Sequence, residues 1–503
     1  MTGAELLSLA FAQMRSAPRR DGGDTALAPW DTLASWLPEP PCAVLVLASN
    51  PEPVASALSE RRYRPVRPGA DLALGAGGQG ELQAAVLVVD SGDLEVTRSL
   101  MRAAAAALPL GGSLVAAWAR SGGADREPDG AHLLLDECAF QILERRQQPL
   151  AGRAAGGAAA GDIVCLVRAR RDRFTIREYR DGDESAILPM FAASFGTPRS
   201  EAHWRWKFRD DPYGTLRITE VFDEESKLVA HYAGYPVRFV WPSRGEGEIP
   251  AMQIGDTMTS KAVRATGLGK TSVLARMVDD FYERHCIGRT TFNYGFNTGH
   301  IRKLGERYLG YGYISPVTMW RRPLRTTRDL LPAARARLLG YRARPARSVG
   351  PEWDGFFARV APAYGLLVQR DARYLTWRYL SCPDGVHHLV EVRRRGALVG
   401  WGVAAARDRS VVLGDALFDP HHAAPALAAL LSQLPRLFAG ADTVQGWFPK
   451  QPAWWVARLR ATGFAPGPEP NALAPGFALF APTPGLSDFE DHWYYTTGDS
   501  DLF

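Results

Sequence analysis

Lysine is nearly missing from this chain: only six of its 59 basic residues are Lys, and the first 206 residues contain none. Positive charge is therefore arginine almost throughout, a usage that genomic base composition explains without a special task. Its excess over 54 acidic residues is +5 in 503 residues, too thin for a dedicated nucleic-acid binder. Long apolar runs are absent too. Stretches near the start, such as Ala43–Ala48, span about six residues, against ~20 needed to cross a bilayer. The opening MTGAELLSLAFAQMRS lacks the basic start and cleavage site of a secretory signal and reads as a short amphipathic helix. Five cysteines (Cys42, Cys138, Cys165, Cys286, Cys382) show no CxxC spacing, and the His387-His388 and His421-His422 pairs form no ligand motif. These absences predict a cytoplasmic protein with reduced thiols, no metal centre and no nucleic-acid partner.

What is present is an ordinary globular composition, 46% hydrophobic with 49 Gly and 36 Pro, long enough for about three domains. In residues 1–170, Ala43–Ala48 and Ala84–Asp93 read as buried strands. A helical SLMRAAAAALP follows, then Leu110-Gly-Gly-Ser and a third strand. Strands alternating with helices predict a doubly wound, Rossmann-like sheet. This order resembles the second half of a class I methyltransferase domain, with Phe140-QILERR and Asp162-IVCLVRARR as its closing strand pair. The first strand, however, runs into Ser49-Asn-Pro-Glu-Pro53, with no glycine to admit a nucleotide-type cofactor. The Gly-rich segments at 74–80 and 151–161 read as loops. A degenerate domain that does not bind S-adenosylmethionine is the expectation.

The most informative segment is PAMQIGDTMTSKAVRATGLGKTSVLARMVDDFYERH, residues 250–285. An extended run to Thr259 meets a glycine-bearing loop, then an apolar-periodic helix. That arrangement presents backbone N–H groups and a positive dipole end, as phosphate binding requires. The P-loop pattern GxxxxGK[ST] demands glycine where Arg264 stands, so the ATPase signature is broken. Arg264-x-x-Gly267-x-Gly269 instead resembles the pyrophosphate loop of the GNAT acyltransferase superfamily. The element order over about 174–324 is similar as well: strand, helix, hairpin, long strand, loop, helix, strand, helix. Asp256-Thr-Met258 and Tyr294-Gly-Phe-Asn297 are similar to turns in GNAT proteins from bacterial biosynthetic loci.

A repeat marks the third block. Trp206-Lys-Phe208-x-x-x-Pro212 recurs as Trp377-Arg-Tyr379-x-x-x-Pro383, and each copy precedes a strand hairpin. The predicted organisation is thus a Rossmann-like domain (1–170), a GNAT domain with the loop (171–325), an Arg-rich linker (326–350) and a second GNAT-like domain (351–503). In the second copy Asp419-Pro-His-His-Ala-Ala-Pro425 replaces the phosphate loop, and proline removes a donor. Between the copies lies RRPLRTTRDLLPAARARLLGYRARPARS. Its arginines and leucines suit either a solvated connector or peripheral membrane contact through 321–347. Pro332 and Pro345, which interrupt a long amphipathic face, favour the connector. The aromatic and acidic end, Asp491-HWYYTTGDSD-Leu502-Phe503, is expected to pack back on the core.

The GNAT resemblance implies a fold of mixed sheets flanked by helices and an N-acyltransferase activity. It uses acetyl-CoA or a longer acyl-CoA, held by Met258, Thr259, Arg264, Ala265, Thr266, Gly267, Leu268, Gly269, Lys270 and Asn297. Backbone N–H near Met258 would polarise the thioester carbonyl. The position of the glutamate base in relatives falls at Gln253, so Asp256 is the expected base, with a loop-fixing role as the alternative. Tyr308 is the expected acid. Trp204, Trp206 and Tyr294 are expected to line the acceptor side, for a small-molecule amine such as an amino sugar, lipid base or natural-product intermediate. Competing readings are a non-catalytic scaffold of vestigial folds and an active methyltransferase with GNAT appendages.

Overall fold

The computed structural model describes residues 35–38, 43–47, 52–60, 62–66, 82–89, 94–120, 131–149, 163–214, 216–265, 269 and 271–503. The helix read over 1–16 and the Gly-rich segments 74–80 and 151–161 lie outside these residues. The chain divides into two compact units, Met1–Arg177 with Val221–Leu228, and Glu178–Glu220 with Val229–Phe503.

In the first unit, strands β1 (Ala43–Leu47), β2 (Arg64–Val66), β3 (Leu82–Val89), β4 (Ser113–Arg120), β5 (Phe140–Pro149) and β6 (Ile163–Arg171) form one sheet in the order β2-β1-β3-β4-β6-β5. The first four are parallel, joined through helices such as α1 (Glu52–Glu60) and α2 (Leu94–Ala107). β6 lies antiparallel between β4 and β5. All five residues of β1 are buried, which is why the strand reads as an unbroken apolar run and not an alternating one. Helix α2 packs Met101, Ala104 and, just beyond its end, Leu108 against Leu45, Leu87 and Trp118, one face of a 3.6-residue period. Helix α3 (Ala131–Glu137) adds Leu134 and Leu135 to the same core.

The second unit holds two sheets with the same plan. In the first, β8 (Arg217–Phe222), β9 (Leu228–Trp241) and β10 (Glu246–Thr259), which follow β7 (Thr175–Glu178), lead through helix α5 (Val273–His285) to β11 (Phe292–Asn297), parallel to β10. Helix α4 (Glu201–Trp204) precedes this run; helix α6 (Gly299–Tyr308), β12 (Gly312–Tyr313) and β13 (Thr318–Pro323) follow it. In the second, β16 (His388–Arg394), β17 (Ala397–Arg407) and β18 (Ser410–Phe418) lead through helix α9 (Ala423–Leu437) to the parallel β19 (Thr443–Trp447). A parallel neighbour needs such a crossover helix, whereas antiparallel neighbours need only a turn.

The strands that close the sheets are exchanged between the halves. β21 (Ala474–Leu479), late in the chain, pairs with β11 and β12 of the first sheet. β13, from the first half, pairs with β19 and with β20 (Ala465–Pro468) of the second. Within this unit the orders are β12-β21-β11-β10-β9-β8 and, starting from β14 (Tyr341–Pro345), β14-β16-β17-β18-β19-β13-β20, with β15 (Leu367–Val368) against β9. The expected boundary near 325 is therefore corrected: neither sheet is complete from its own sequence segment. The 326–350 linker is corrected too. Leu330–Leu338 is helix α7 and Tyr341–Pro345 is strand β14, the edge strand of the second sheet beside β16.

The sequence repeat sits at the centre of this unit. Helix α4 is followed by a π-helical turn, Arg205–Arg209, and helix α8 (Ala372–Leu375) by its counterpart, Thr376–Leu380. Trp206 Nε1 donates to Trp377 O at 2.7 Å, and Trp377 Nε1 donates to Trp206 O at 2.8 Å, with the rings stacked 5.8 Å apart. Each copy thereby satisfies the other's buried indole, which explains why the tryptophans recur at one spacing.

Candidate functional site at the splayed strands of the first repeat

β10 pairs with β9 along most of its length but with β11 only from Ala251 to Gln253, opposite Phe292 to Tyr294. Beyond Gln253 the two parallel strands no longer pair, so that edge of β10 is left without a strand partner among the described residues. A bulge between Gly255 and Met258 interrupts the β9 ladder there, and Asp256 takes a left-handed φ of 56°. Such a conformation costs a non-glycine residue roughly 1–2 kcal/mol. Two ion pairs offset it: Lys207 Nζ lies 3.0 Å from Asp256 Oδ1, and Arg199 Nη1 meets Asp256 Oδ2. A Cβ at Gly255 would sit 2.8 Å from Lys207 Nζ, so only glycine admits the ammonium over the bulge.

Burial alone would raise the Asp256 carboxyl, but the Lys207 and Arg199 charges override it and hold the pKa at about 2. A carboxylate with both oxygens committed to cations does not accept protons at neutral pH. The expectation that Asp256 is the base is corrected: it fixes the bulge and neutralises two buried cations.

Behind the bulge lies a residue that no sequence motif had marked. His231 on β9 is fully buried opposite Met258, and its Nδ1 is 2.9 Å from the Asp256 carbonyl. A carbonyl only accepts, so Nδ1 carries the hydrogen and Nε2 keeps a lone pair. Among the described residues Nε2 has no hydrogen-bond partner, and burial pushes the imidazole pKa down, keeping the ring neutral. Neither a motif nor a period marks His231; only the β9–β10 register brings it to the bulge.

At the end of β10, Thr259 O accepts from Arg264 Nη1 at 2.7 Å, and Ser260 Oγ caps the short helical turn Lys261–Ala265 by accepting from Val263 N. Arg264 thus ties the loop to the strand it leaves. Ser272 N-caps α5, its side chain accepting from Ala275 N. Gly269 lies just before this cap, and Ser272 N donates to Gly269 O at 3.1 Å. Thr266, Gly267, Leu268 and Lys270 lie outside the described residues. Met258 is buried at the bulge and Thr259 half-buried.

The other expected residues divide. Asn297, at the end of β11, donates through Nδ2 to Tyr313 Oη at 3.1 Å. Tyr308 is half-buried with the Arg307 guanidinium 5.4 Å from its ring centre, and among the described residues no hydrogen bond joins it to the Asp256 cluster. Trp204 is 1% exposed, packed on Tyr179 and Phe208, and Tyr294 is 1% exposed with its hydroxyl on Gln253 Oε1. Both are core, which corrects their expected place on the acceptor side. Trp206 does line open space. It borders a groove of about 620 Å³ with Trp377, Arg205 and Arg373, and a cavity of about 200 Å³ with Lys207, Asp384 and Asp501.

The second repeat has the same splay, β18 meeting β19 only from Ser410 to Val412, but the chain fills it. Thr497 Oγ1 accepts from Trp447 N at 3.0 Å, Tyr494 Oη donates to Ala416 O at 2.7 Å, and Thr496 through Ser500 are buried. Arg370 bridges Asp415 at 2.9 Å and Asp499 at 2.6 Å, all three fully buried. A Cβ at Gly414 would overlap the Phe503 ring. Arg370 and Asp415 repeat the Arg199–Asp256 pairing at the second bulge. The second copy has thus kept the electrostatic frame and lost the opening. As the sequence predicts, the 491–503 segment packs on the core.

Among the described residues no group of three His, Cys, Asp or Glu is placed to hold a metal, and no helix is long and apolar enough to cross a membrane. No protein-family model and no curated protein matches the sequence. Solved structures that resemble the chain are GNAT or GCN5-related N-acetyltransferases. One is a conserved protein of unknown function from Enterococcus faecalis V583, a probable N-acyltransferase, at 10% identity and TM-score 0.45 over 63% of this chain and 75% of that one. Another is a GCN5-related N-acetyltransferase from Kribbella flavida, at 14% identity and TM-score 0.42 over 60% and 70%. A tandem GNAT protein from the clavulanic acid biosynthesis pathway shares 14% identity, with TM-score 0.40 over 62% and 99%. At these values the likeness concerns fold alone, and no residue role rests on it.

Proposed function

We propose that the second unit is an N-acyltransferase that moves an acetyl or longer acyl group from coenzyme A to the amine of a small molecule, with the first repeat as the working copy. The observation that carries this reading is the splay between β10 and β11, with a bulge on one side and an N-capped helix behind a glycine-bearing loop. The unpaired edge of β10 suits an extended pantetheine, and the loop with the start of α5 suits a pyrophosphate. In this reading Met258, Thr259, Arg264, Ala265 and Gly269, with Thr266, Gly267, Leu268 and Lys270 from the sequence pattern, hold the acyl donor. Asn297 flanks it from β11.

The acceptor space in this reading is the cavity of about 200 Å³ beside Trp206 and Trp377, where Asp384 pairs with His203 and Asp501 faces Lys207. As the C–N bond forms and the C–S bond breaks, an ammonium acceptor gives up two protons: one ends on the departing coenzyme A thiol and the other is released. In this reading His231 Nε2, the neutral lone pair beside the bulge, replaces Asp256 as the base. It is fully buried and lines neither cavity, so the proton reaches it through water entering along the open edge of β10. The first unit is read as a degenerate methyltransferase-like domain. Its order β2-β1-β3-β4-β6-β5, with the antiparallel β6 next to last, supports that architecture. Binding of S-adenosylmethionine is not expected there.

Titration calorimetry of the whole chain with acetyl-CoA, a long-chain acyl-CoA and S-adenosylmethionine tests this. Coenzyme A esters are expected to bind and Gly267→Trp to abolish that binding. If the esters do not bind, or bind Gly267→Trp equally well, the reading fails. Binding of S-adenosylmethionine alone would move the activity to the first unit.

A further inference from the structure

Helix α7 packs on α9 through one side, burying Ala336, and leaves its leucines outside: Leu330 is 69%, Leu331 78% and Leu338 88% exposed, with Leu339 beyond it at 44%. Leu331 and Leu338 lie seven residues apart, hence on one side of the helix. Pro332 falls in the first turn, where a missing N–H costs nothing, so the helix forms despite it. Residues 330–348 contain five arginines (335, 337, 342, 344 and 347) and no acid.

The fold adds charge from elsewhere. β14 pairs Tyr341 with Arg394, and Arg395 N donates to Gly340 O at 3.2 Å, so the Arg393-Arg-Arg395 turn lies beside the end of α7. The acids nearby are already engaged: Glu352 and Glu391 by Arg393 and Arg344, and Asp329 by Arg322. The surface therefore carries exposed leucines inside a ring of arginine with no free counter-charge on these elements.

We propose that α7, the β14 edge and the Arg393–Gly396 turn dock on an anionic lipid bilayer. Leucines immersed in a headgroup boundary, with arginines held at the level of the lipid phosphates, satisfy both features at once. A nucleic acid would leave the leucines unburied. The helix bears no tryptophan or tyrosine anchor, unlike the centre of a protein interface. This proposal is independent of the acyl-transfer reading.

Flotation of the full chain with vesicles of phosphatidylcholine, with and without 30 mol% phosphatidylglycerol, tests it. Retention is expected on the anionic vesicles only, falling as salt rises from about 0.1 to 0.5 M. Each cation near an anionic surface strengthens binding about fivefold, so Arg335→Gln with Arg337→Gln is expected to weaken it about 25-fold. Leu331→Ser with Leu338→Ser is expected to weaken it by about tenfold or more. Because these side chains are exposed, the variants are expected to melt like the parent, and thermal unfolding checks that. No retention, retention equal in all variants, or binding to a DNA duplex that the leucine pair does not affect would each overturn the proposal.

Discussion

Replacing Asp256 by Asn keeps the shape of the bulge residue while removing the charge that two cations share. Lys207 and Arg199 have side chains only 5% and 12% exposed, so neither recovers full hydration when its partner is neutral. Breaking a buried pair in this way costs about 3–5 kcal/mol. Linkage gives a second, separable magnitude. The carboxyl is held at about 2, against 3.8 for an unperturbed aspartate. At ~1.4 kcal/mol per pKa unit, that depression contributes roughly 2–3 kcal/mol. A depressed carboxyl contributes above its unfolded pKa and loses the contribution as pH falls through the folded one. The stability gap between parent and Asp256→Asn is therefore expected to be constant from pH 7 to about 5 and to shrink by about 2–3 kcal/mol towards pH 2. Urea unfolding monitored by hydrogen exchange of β9 and β10 peptides measures this gap locally, and the difference cancels the other carboxylates. A gap independent of pH would refute the electrostatic account of the bulge, and a gap under ~1 kcal/mol would show that the two cations find other partners.

Three further outcomes are expected. His231→Gln should lower acyl transfer by about 10²–10⁴ with donor affinity retained, and should remove the acid limb of the kcat/KM profile, which in the parent lies below pH 6.5 because burial lowers the imidazole pKa. An unchanged limb would exclude His231 as base. Arg370→Met leaves Asp415 and Asp499 buried without a cation, and is expected to destabilise the second sheet by about 3–5 kcal/mol, read from hydrogen exchange of β18 peptides. For the tryptophan pair, a double-mutant cycle of Trp206→Phe and Trp377→Phe is expected to show a coupling of about 1 kcal/mol or more, because each change orphans the other tryptophan's carbonyl and loosens the ring stack that aligns the remaining bond. Additive effects would mean that the reciprocal bonds do not act as a unit.

Much of the plan is local and so was readable from residues alone. Ala43–Leu47 is a strand because five consecutive apolar residues need burial on both faces. The Trp-cation-aromatic repeat placed two copies of one motif 171 residues apart, and the same offset relates Arg199 to Arg370 and Ser200 to Asp371, both serine and aspartate being N-caps. That wider register was present in the sequence and would have marked the two arginines. The break between β10 and α5 was legible from its glycines and the period change that follows.

The rest depends on partners that no local pattern names. Trp204 and Trp206 stand two residues apart and both are buried, yet one packs on Tyr179 and Phe208 and the other on its repeat partner, because residues two apart in a helical turn point to opposite sides. Exchange of β13 and β21 joins strands more than 120 residues apart, a pairing set by long-range packing and not by strand propensity. Asp256 read as a candidate base because sequence shows a carboxylate without its neighbours. Only folding brings Lys207 and Arg199 to it, and their charges decide its protonation. The scarcity of lysine meets its counterpart here: one of the six is buried at the bulge. The sequence by itself determined the periodicities, the glycine-bearing loop and the repeat, since these depend on covalent order and local conformation. The tertiary structure alone decided which sheet each strand closes, which splay stays open and which side chains carry charge, since burial and Coulomb energy depend on distance through space.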